Sequence, residues 1–359
     1  MRKFVEEIDE ILNFVKRYLF GDEEKAVAPE VPAELPEDVE VFEYDPPDPD
    51  VEELPPPFVC VDGSFVNLLY LKALDANITL FRVSTIEYRF KDKRRPELVR
   101  HSVYDKFAIV MAKESLFPPQ SPVRQMVPLA VRFPGRTLDL LSNLMMYVLE
   151  ENALLAAARR YENAIIARDG TLAVVFFLSE DHVMQEILRT CERKNNAFVG
   201  VSKDTTSRYV HELLVDEAVL QGLIDGKPTL KVVRVPKSRV RVRFPPNVFG
   251  EIFFAHLNRW SDRFFRVDVG VPKRDFERVF KWLAWYSTWE GTPGFPFPLV
   301  EAHKSAKSVR DMKPTYEEQL IHRCRALEIP DDFILQGLLD DYGVADAKFH
   351  ARLDRLSMI

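Results

Sequence analysis

Cysteine is scarce in this sequence. The 359 residues include three cysteines, Cys60, Cys191 and Cys324, which are odd in number, far apart and never in a Cys-x-x-Cys pair. A disulfide framework and a zinc cluster both require more cysteines at regular spacing, so neither is supported. Any metal site in this chain must therefore use oxygen and imidazole ligands.

Long apolar runs and nucleotide-binding loops are also missing. No stretch approaches the ~20 apolar residues of a membrane helix, and the charged N-terminus has no signal-peptide core. We therefore expect a cytoplasmic protein that does not enter a membrane. The chain has no Gly-x-x-x-x-Gly-Lys-Ser/Thr loop and no Gly-x-Gly-x-x-Gly after a strand, which argues against nucleotide hydrolysis. A partner must supply any energy that the function consumes.

The composition is that of a folded protein with unevenly distributed charge. Hydrophobic residues make up 47% of the chain, enough for a large core, and the formal net charge is -7. Acidic residues concentrate in the proline-rich segment 21–57, which we interpret as an extended linker. Before it, apolar residues at helical spacing predict an amphipathic helix over 1–20. We expect a main domain at 58–312 and a C-terminal helical segment at 313–359, with the two terminal segments available for docking or dimerisation.

The order of predicted elements indicates the fold class. Strands are predicted at 58–62, 77–90, 106–113, 163–168, 197–201, 229–235, 240–244, 251–257 and 264–269, and helices at 137–161, 180–193 and 275–289. An apolar strand followed by further strands, a helix and a second strand–helix–strand unit is typical of a ribonuclease H-like α/β fold. We therefore predict a mixed sheet flanked by helices.

Two of the predicted strands are followed by Asp-Gly. The first apolar run ends at Asp62-Gly63, and the second ends at Asp169-Gly170. A single Asp-Gly is an ordinary turn signal. Two such pairs, each placing a carboxylate at the end of a buried strand, indicate a metal site.

Basic residues cluster in several places despite the negative net charge. Arg239, Arg241 and Arg243 alternate with valines, so on a strand all three would leave the same face. Such a face would suit a phosphate backbone, and it would equally suit the solvated side of an antiparallel strand. Arg208 and Tyr209 are further candidates for DNA binding, with simple packing an equal alternative.

Four segments together carry a resemblance to the NurA family of nucleases. They are Val59–Phe65, Asp169–Leu172, Gly200–Lys203 and Gly294–His303, and they occur in the family's motif order between about residues 58 and 310. The resemblance implies a ribonuclease H-like fold and manganese-dependent exo- or endonuclease activity on single- and double-stranded DNA. It also implies a homodimer with a central channel and a partnership in DNA end resection with a hexameric HerA-type ATPase.

The family's metal-binding positions correspond to Asp62, a glutamate on the long helix, Asp169 and His303. Glu150 and Glu151 compete for the helix position, and we choose Glu151 because it lies on the apolar stripe expected to face the sheet. Such ligands suit manganese or magnesium. Lys203, just past a strand end, would place a positive charge against the scissile phosphate. His303 would bind a metal or orient the attacking water.

Two other functions stay open at this stage. The chain could be a catalytically silent adaptor that clamps DNA or a translocase, although the retained acids, lysine and histidine argue against lost activity. It could also be an RNA-directed ribonuclease H-like enzyme related to the Argonaute catalytic domain, because the fold and metals alone do not choose DNA over RNA.

Overall fold

The structure of the protein is a computed structural model. The structure describes residues 35–48, 50, 53–71, 76–92, 95–111, 137–172, 182–203, 205–211, 214–240, 249–272, 275–288 and 291–329. The predicted helix at 1–20 and the chain beyond Ile329 lie outside these ranges, as do Arg241 and Arg243. Within the described ranges, no helix combines the length and the apolar character that a bilayer crossing demands.

A nine-stranded mixed sheet forms the centre of the molecule. The strands are β1 (Glu40–Tyr44), β2 (Phe58–Leu71), β3 (Ala76–Phe90), β4 (Pro96–Met111), β5 (Ile165–Asp169), β6 (Ala197–Ser202), β7 (Leu230–Val235), β8 (Glu251–His256) and β9 (Phe265–Val271). Their order in the sheet is β1-β7-β8-β9-β6-β5-β2-β3-β4. The antiparallel β2, β3 and β4 are followed by β5 and β6, which run parallel to β2. This arrangement confirms the predicted ribonuclease H-like mixed sheet.

Helices cover both faces of the sheet. They are α1 (Thr137–Arg160), α2 (His182–Arg193), α3 (Asp216–Leu220), α4 (Phe276–Trp285), α5 (Phe297–Lys307) and α6 (Lys313–Ala326). We call the side covered by α1 and α2 the α1 face, and the side covered by α4 and α5 the α5 face. Val59, Val61 and Ile166 pack on the α1 face, whereas Phe58 and Cys60 pack on the α5 face. Because side chains alternate along a strand, β2 is apolar on both sides.

The predicted linker contains a strand. Residues 40–44 form β1, which pairs antiparallel with β7 so that Phe42 lies opposite Val232 at the edge of the sheet. The prediction of an extended linker over all of 21–57 is therefore wrong for these residues. The β-branched Val41 and the aromatic Phe42 and Tyr44 favour a strand, and the surrounding proline and acidic residues concealed that short signal.

The edge strand on the other side of the sheet also differs from the prediction. β4 begins at Pro96, ten residues before the predicted start, and continues to Met111. Most of its side chains are exposed. An edge strand that faces solvent needs no apolar alternation, and so its charged first half carried no recognisable strand pattern.

Gly200 is a position where the fold requires close backbone contact. A Cβ atom at this residue would lie 2.5 Å from the carbonyl oxygen of Gly170 and 3.0 Å from Leu172. Gly170 itself has φ of 120°, a conformation that favours glycine. The two glycines therefore let the turn after Asp169 pack directly on β6.

We expect Gly200→Ala to lower the free energy of unfolding by about 1–3 kcal/mol, because a backbone carbonyl cannot move aside as a flexible side chain can. The midpoint of urea denaturation measures this change. Gly222→Ala is the matched control, since a Cβ there meets no atom within 4 Å, and its midpoint should stay close to that of the unmodified protein. Equal midpoints for the two variants would contradict the expectation.

Candidate active site

Asp62 and Asp169 lie side by side on the α5 face. β2 and β5 pair in parallel with Val61 opposite Arg168, so the next residues along the two strands are level with each other. Asp62 shares its side of β2 with Cys60, whose thiol lies 3.1 Å from the carbonyl oxygen of Pro298 in α5. The alternation of side chains therefore directs both carboxylates toward the same helix.

Asp62 is not at the end of its strand. β2 continues past it to Leu71, and Gly63 pairs with Val83 on β3 instead of forming a turn. The prediction of a strand stopping at Asp62 is thus corrected, whereas β5 does end at Asp169. The parallel pairing between β2 and β5 ends close to Asp62, because Val61 is the last residue of β2 that pairs with β5.

His303 and Lys203 complete the cluster. Nδ1 of His303, on α5, lies 2.8 Å from Oδ2 of Asp62 and 3.4 Å from Oδ2 of Asp169. Lys203, just after β6, donates from Nζ to Oδ2 of Asp169 at 2.5 Å. The two aspartate side chains are about one-tenth exposed, but those of His303 and Lys203 are 39% and 31% exposed. The cluster is therefore open to solvent on the side of these two residues.

The electrostatics of the cluster fit a bound cation. Burial and the negative charge of Asp169 raise the pKa of Asp62 to about 7, against the opposing effects of Lys203, the Gly63 amide and Arg168. Burial and Lys203 lower the pKa of His303. An unprotonated Nδ1 of His303 and an ionised Asp62 would both be acceptors, so their hydrogen bond requires a proton on one of them. A bound metal ion could replace that proton.

Donor atoms of Asp62, Asp169 and His303 all lie within 4.8 Å of one another. They form the one group of three or more acidic, cysteine or histidine ligands found in the described part of the chain. Two carboxylates and an imidazole suit magnesium or manganese.

The helix glutamates approach from the opposite side of the sheet. Glu151 is 2% exposed and lies on the buried stripe of α1, as expected. That stripe packs on the α1 face, however, whereas both aspartates point to the α5 face. The assumption that the stripe would meet the aspartates is therefore wrong, because β2 and β5 present their carboxylates to the other helix layer.

Glu150 lies beside Gly63, the residue after Asp62. A Cβ atom on Gly63 would lie 2.7 Å from its Oε1, so the missing side chain of Gly63 admits this carboxylate beside Asp62. Burial raises the pKa of Glu150 to about 7, and the charges of Asp62 and Asp169 act in the same direction while Arg168 opposes them. Glu150 is thus electrostatically coupled to both aspartates.

Arg168 is a site residue that the sequence reasoning missed. Its guanidinium donates to Oε2 of Glu150 at 3.1 Å and lies 4.3 Å from the ring centroid of Tyr147. The side chain is 9% exposed and projects to the α1 face, directly before Asp169 in β5. The sequence does signal this residue, because Arg168 directly follows the apolar run Ile165-Ile166-Ala167 in a strand predicted to be buried. A buried charge requires a partner of opposite charge.

A second buried ion pair supports the loops around the site. Arg266 donates two hydrogen bonds to Asp268, at 2.7 and 3.0 Å, and a third to the hydroxyl of Tyr209 at 3.2 Å. Asp268 also accepts from the amide of Leu172 at 2.9 Å. Tyr209, a predicted DNA-binding residue, is thereby anchored to the sheet.

The predicted arginine surface is only partly described. Arg239 lies in a 3-10 turn at 237–239 and not on a strand, so the prediction of a strand face is wrong for this residue. Its Nε is 2.7 Å from both carboxylate oxygens of Asp38. Arg239 nevertheless lines one cleft together with Arg208 and Tyr209.

Comparison with known proteins identifies the family. The model of the NurA domain matches residues 129–308, half of the chain. This protein belongs to the NurA family. The matched range contains both helix glutamates, Asp169, Lys203 and His303, and Asp62 precedes it. The curated proteins include no match to the sequence of this NurA-family chain.

Three solved structures match this NurA-family chain at low sequence identity. The NurA nuclease from Sulfolobus solfataricus is 15% identical with a TM-score of 0.49, covering 90% of this chain and 98% of that one. The catalytic domain of human Endonuclease V is 16% identical with a TM-score of 0.35, covering 81% and 92%. A. aeolicus Argonaute is 9% identical with a TM-score of 0.32, covering 70% and 28%.

The raised carboxyl pKa values predict how stability changes with pH. Between about pH 4, the ordinary carboxyl value, and about pH 7, folded Asp62 and Glu150 retain protons that the unfolded chain has released. Unfolding free energy therefore falls as pH rises through this window. In EDTA, we expect Asp62→Asn to match the unmodified protein in Tm at pH 5 and to exceed it at pH 8.

Divalent cations should act in the opposite sense, because metal binding requires deprotonated ligands. Manganese is expected to raise the Tm of the unmodified protein more at pH 8 than at pH 5.5, and to have little effect on Asp62→Asn. A variant less stable than the unmodified protein at pH 8 in EDTA would show that Asp62 is not held at an electrostatic cost.

Proposed function

We propose that this NurA-family protein is a divalent-metal-dependent nuclease that hydrolyses phosphodiester bonds in DNA. The observation that carries the proposal is the group formed by Asp62, Asp169 and His303, whose ligand atoms lie within 4.8 Å of one another. Membership of the NurA family supports the same conclusion. Lys203, bonded to Asp169, adds a positive charge at the open side of the group.

Asp62, Asp169 and His303 would hold the metal, and Glu150, whose carboxylate lies outside this group of ligand atoms, would act from beside Gly63. Manganese is our first choice and magnesium the alternative, because the donors are oxygen and imidazole. In a two-metal site, bound ions lower the pKa of the attacking water and stabilise the leaving oxygen. The raised pKa of Asp62 and of Glu150 fits such a site, since clustered carboxylates are stabilised in their ionised form by cations.

Lys203 and His303 have roles that follow from their exposure. Both face the open side of the cluster, where a phosphate would enter. A metal bound to Asp169 would compete with Lys203 for that carboxylate, leaving the ammonium group available to the scissile phosphate, where developing charge needs stabilisation. His303, held neutral by its lowered pKa, keeps a nitrogen lone pair for a metal or a proton for a nearby water.

The cleft lined by Arg208, Tyr209 and Arg239 is our candidate for contact with the DNA backbone. The hydroxyl of Tyr209 accepts a hydrogen bond from Arg266, and Arg266 pairs with Ser202, the residue before Lys203. Arg208 is exposed, whereas Arg239 is neutralised by Asp38. We assign Arg241 and Arg243 to the same surface on their sequence spacing alone.

Cleavage should depend on both aspartates. Asp62→Ala and Asp169→Ala are each expected to abolish cutting of labelled single- and double-stranded DNA in manganese or magnesium, as EDTA does for the unmodified protein, while DNA binding persists. Lys203→Ala should reduce the rate by about 100-fold or more, in the range seen when one transition-state donor is lost. Binding without cutting in any metal would instead favour the silent adaptor, and preferred cutting of RNA would favour the RNA-directed enzyme.

Glu150→Gln and Glu151→Gln form a matched pair for the same assay, because they change neighbouring residues of one helix in the same way. The placement of Glu150 beside Gly63 leads us to expect a large loss of activity for Glu150→Gln and a small one for Glu151→Gln. The reverse order would restore Glu151 as the helix ligand.

We also propose that the protein forms a homodimer and works in DNA end resection with a hexameric HerA-type ATPase. The sequence contains no nucleotide-binding loop of the kinds considered above, so a partner would supply any energy that resection consumes. The segments 1–20 and 313–359 remain our candidates for the docking elements.

Affinity purification from native cells should recover a hexameric ATPase, and light scattering should give twice the mass of one chain. Recovery should fall when residues 1–20 are removed, with Gly222→Ala as a folded control. A monomer that captures no ATPase would contradict this part of the proposal and leave the nuclease assignment standing.

A further inference from the structure

Trp260 is an exposed aromatic residue on a fixed turn. Its side chain is 71% exposed, more than any other aromatic side chain in the described ranges. The backbone beneath it is held in place, because the amide of Trp260 donates to Oδ1 of Asn258 at 3.0 Å. Asn258 in turn donates from Nδ2 to the carbonyl oxygen of Ser287 at 3.0 Å.

The residue after Trp260 anchors the same turn to the core. Ser261 is 5% exposed, and its carbonyl oxygen lies 2.9 Å from Nε2 of the buried His256. A Cβ on Gly294 would lie 2.7 Å from its hydroxyl, so Gly294 is needed for this close approach. The hydrogen bonds of Asn258 and Ser261 thus fix the backbone of a turn whose indole ring is exposed to water. Such a turn is a preorganised binding surface, because its backbone loses little conformational entropy when a ligand binds.

The turn projects from the end of the sheet at which Asp169 and Lys203 lie. It connects β8 to β9, and the pairs Ala255–Phe265 and Ser202–Arg266 place it level with the end of β6, directly before Lys203. Gly294 packs on Ser261, and the next residue, Phe295, contacts Lys203. The Nζ atom of Lys203 lies 5.6 Å from the ring centroid of Phe295. Trp260 and the proposed catalytic cluster therefore lie at the same end of the sheet, and residues 294–295 contact both the turn of Trp260 and Lys203.

Arg259 adds positive charge at the ring. Its guanidinium lies 4.6 Å from the ring centroid of Trp260, and the residue is exposed. A planar aromatic ring with an adjacent arginine is suited to a nucleobase, which stacks on the ring, and to the neighbouring phosphate, which pairs with the guanidinium. In a duplex the faces of internal bases are covered by their neighbours, so an unpaired base fits best.

We propose that Trp260, together with Arg259, is a stacking site for an unpaired nucleobase of single-stranded DNA entering the active site. This inference rests on the proposed function, because it assigns to that nuclease a residue that favours single strands. Trp260 is a positioning residue, and its contribution lies in substrate affinity and not in the chemistry at Asp62 and Asp169.

Binding in EDTA separates this role from cleavage. We would measure fluorescence polarisation of a labelled oligothymidine and of a blunt duplex of the same length. Trp260→Ala should weaken binding of the single strand by about 5- to 150-fold, the range for loss of one base–aromatic stack, with duplex binding nearly unchanged. Trp260→Tyr should restore most of the single-strand affinity, because it retains an aromatic ring.

Tyr104→Ala is the matched control. Tyr104 is 55% exposed and lies on β4, which four strands separate from β9, so its loss should not alter either affinity. Unchanged single-strand binding by Trp260→Ala would overturn the proposal. So would a dimer that dissociates in this variant while DNA affinity is retained, because Trp260 would then belong to an interface between two copies.

The binding and cleavage assays distinguish failure of the stacking site from failure of the nuclease assignment. If no metal supports cutting but Trp260→Ala still loses single-strand affinity, the nuclease assignment fails and the binding site stands. If cutting occurs normally and Trp260→Ala binds both DNAs like the unmodified protein, only the stacking site is lost.

Discussion

The candidate site depends on the parallel pairing of β2 with β5. Because Val61 lies opposite Arg168, the following residues, Asp62 and Asp169, are level and project from the same face. A shift of one residue would send one carboxylate to the opposite face, since side chains alternate along a strand. The apolar residues on both faces of β2 oppose such a shift, and the packing of the core thereby protects the geometry of the site.

Glycine sets the distances between the site and the layers around it. Gly63 admits Glu150 from α1, Gly200 admits the turn after Asp169, and Gly294 admits the turn that carries Trp260. Each of these three glycines is needed for close approach of another part of the chain, and Gly294 alone of the three also has a positive φ, of 85°. Glycines around this site therefore contribute through the side chain that they lack.

Positive and negative groups are arranged in two layers across the sheet. On the α5 face, His303 and Lys203 contact Asp62 and Asp169. On the α1 face, the buried Arg168 pairs with Glu150, and its charge lowers the pKa of Asp62 through the sheet. Burial thus disfavours the ionisation of Asp62 and Glu150, the nearby cations only partly offset this effect, and a divalent ion would complete the balance.

The sequence by itself determined the mixed α/β fold and the position of most elements, because apolar periodicity reports which faces of a strand or helix are buried. It also pointed to Asp62, Asp169, Lys203 and, through family resemblance, His303. Only the tertiary structure showed that Glu150 lies beside Gly63 and pairs with the buried Arg168, and that Trp260 is exposed on the turn between β8 and β9. The physical reason is that strand and helix periodicity give the directions of side chains within one element. Which helix covers which face, and where a turn lies relative to a strand end, depends on contacts between residues distant in the chain.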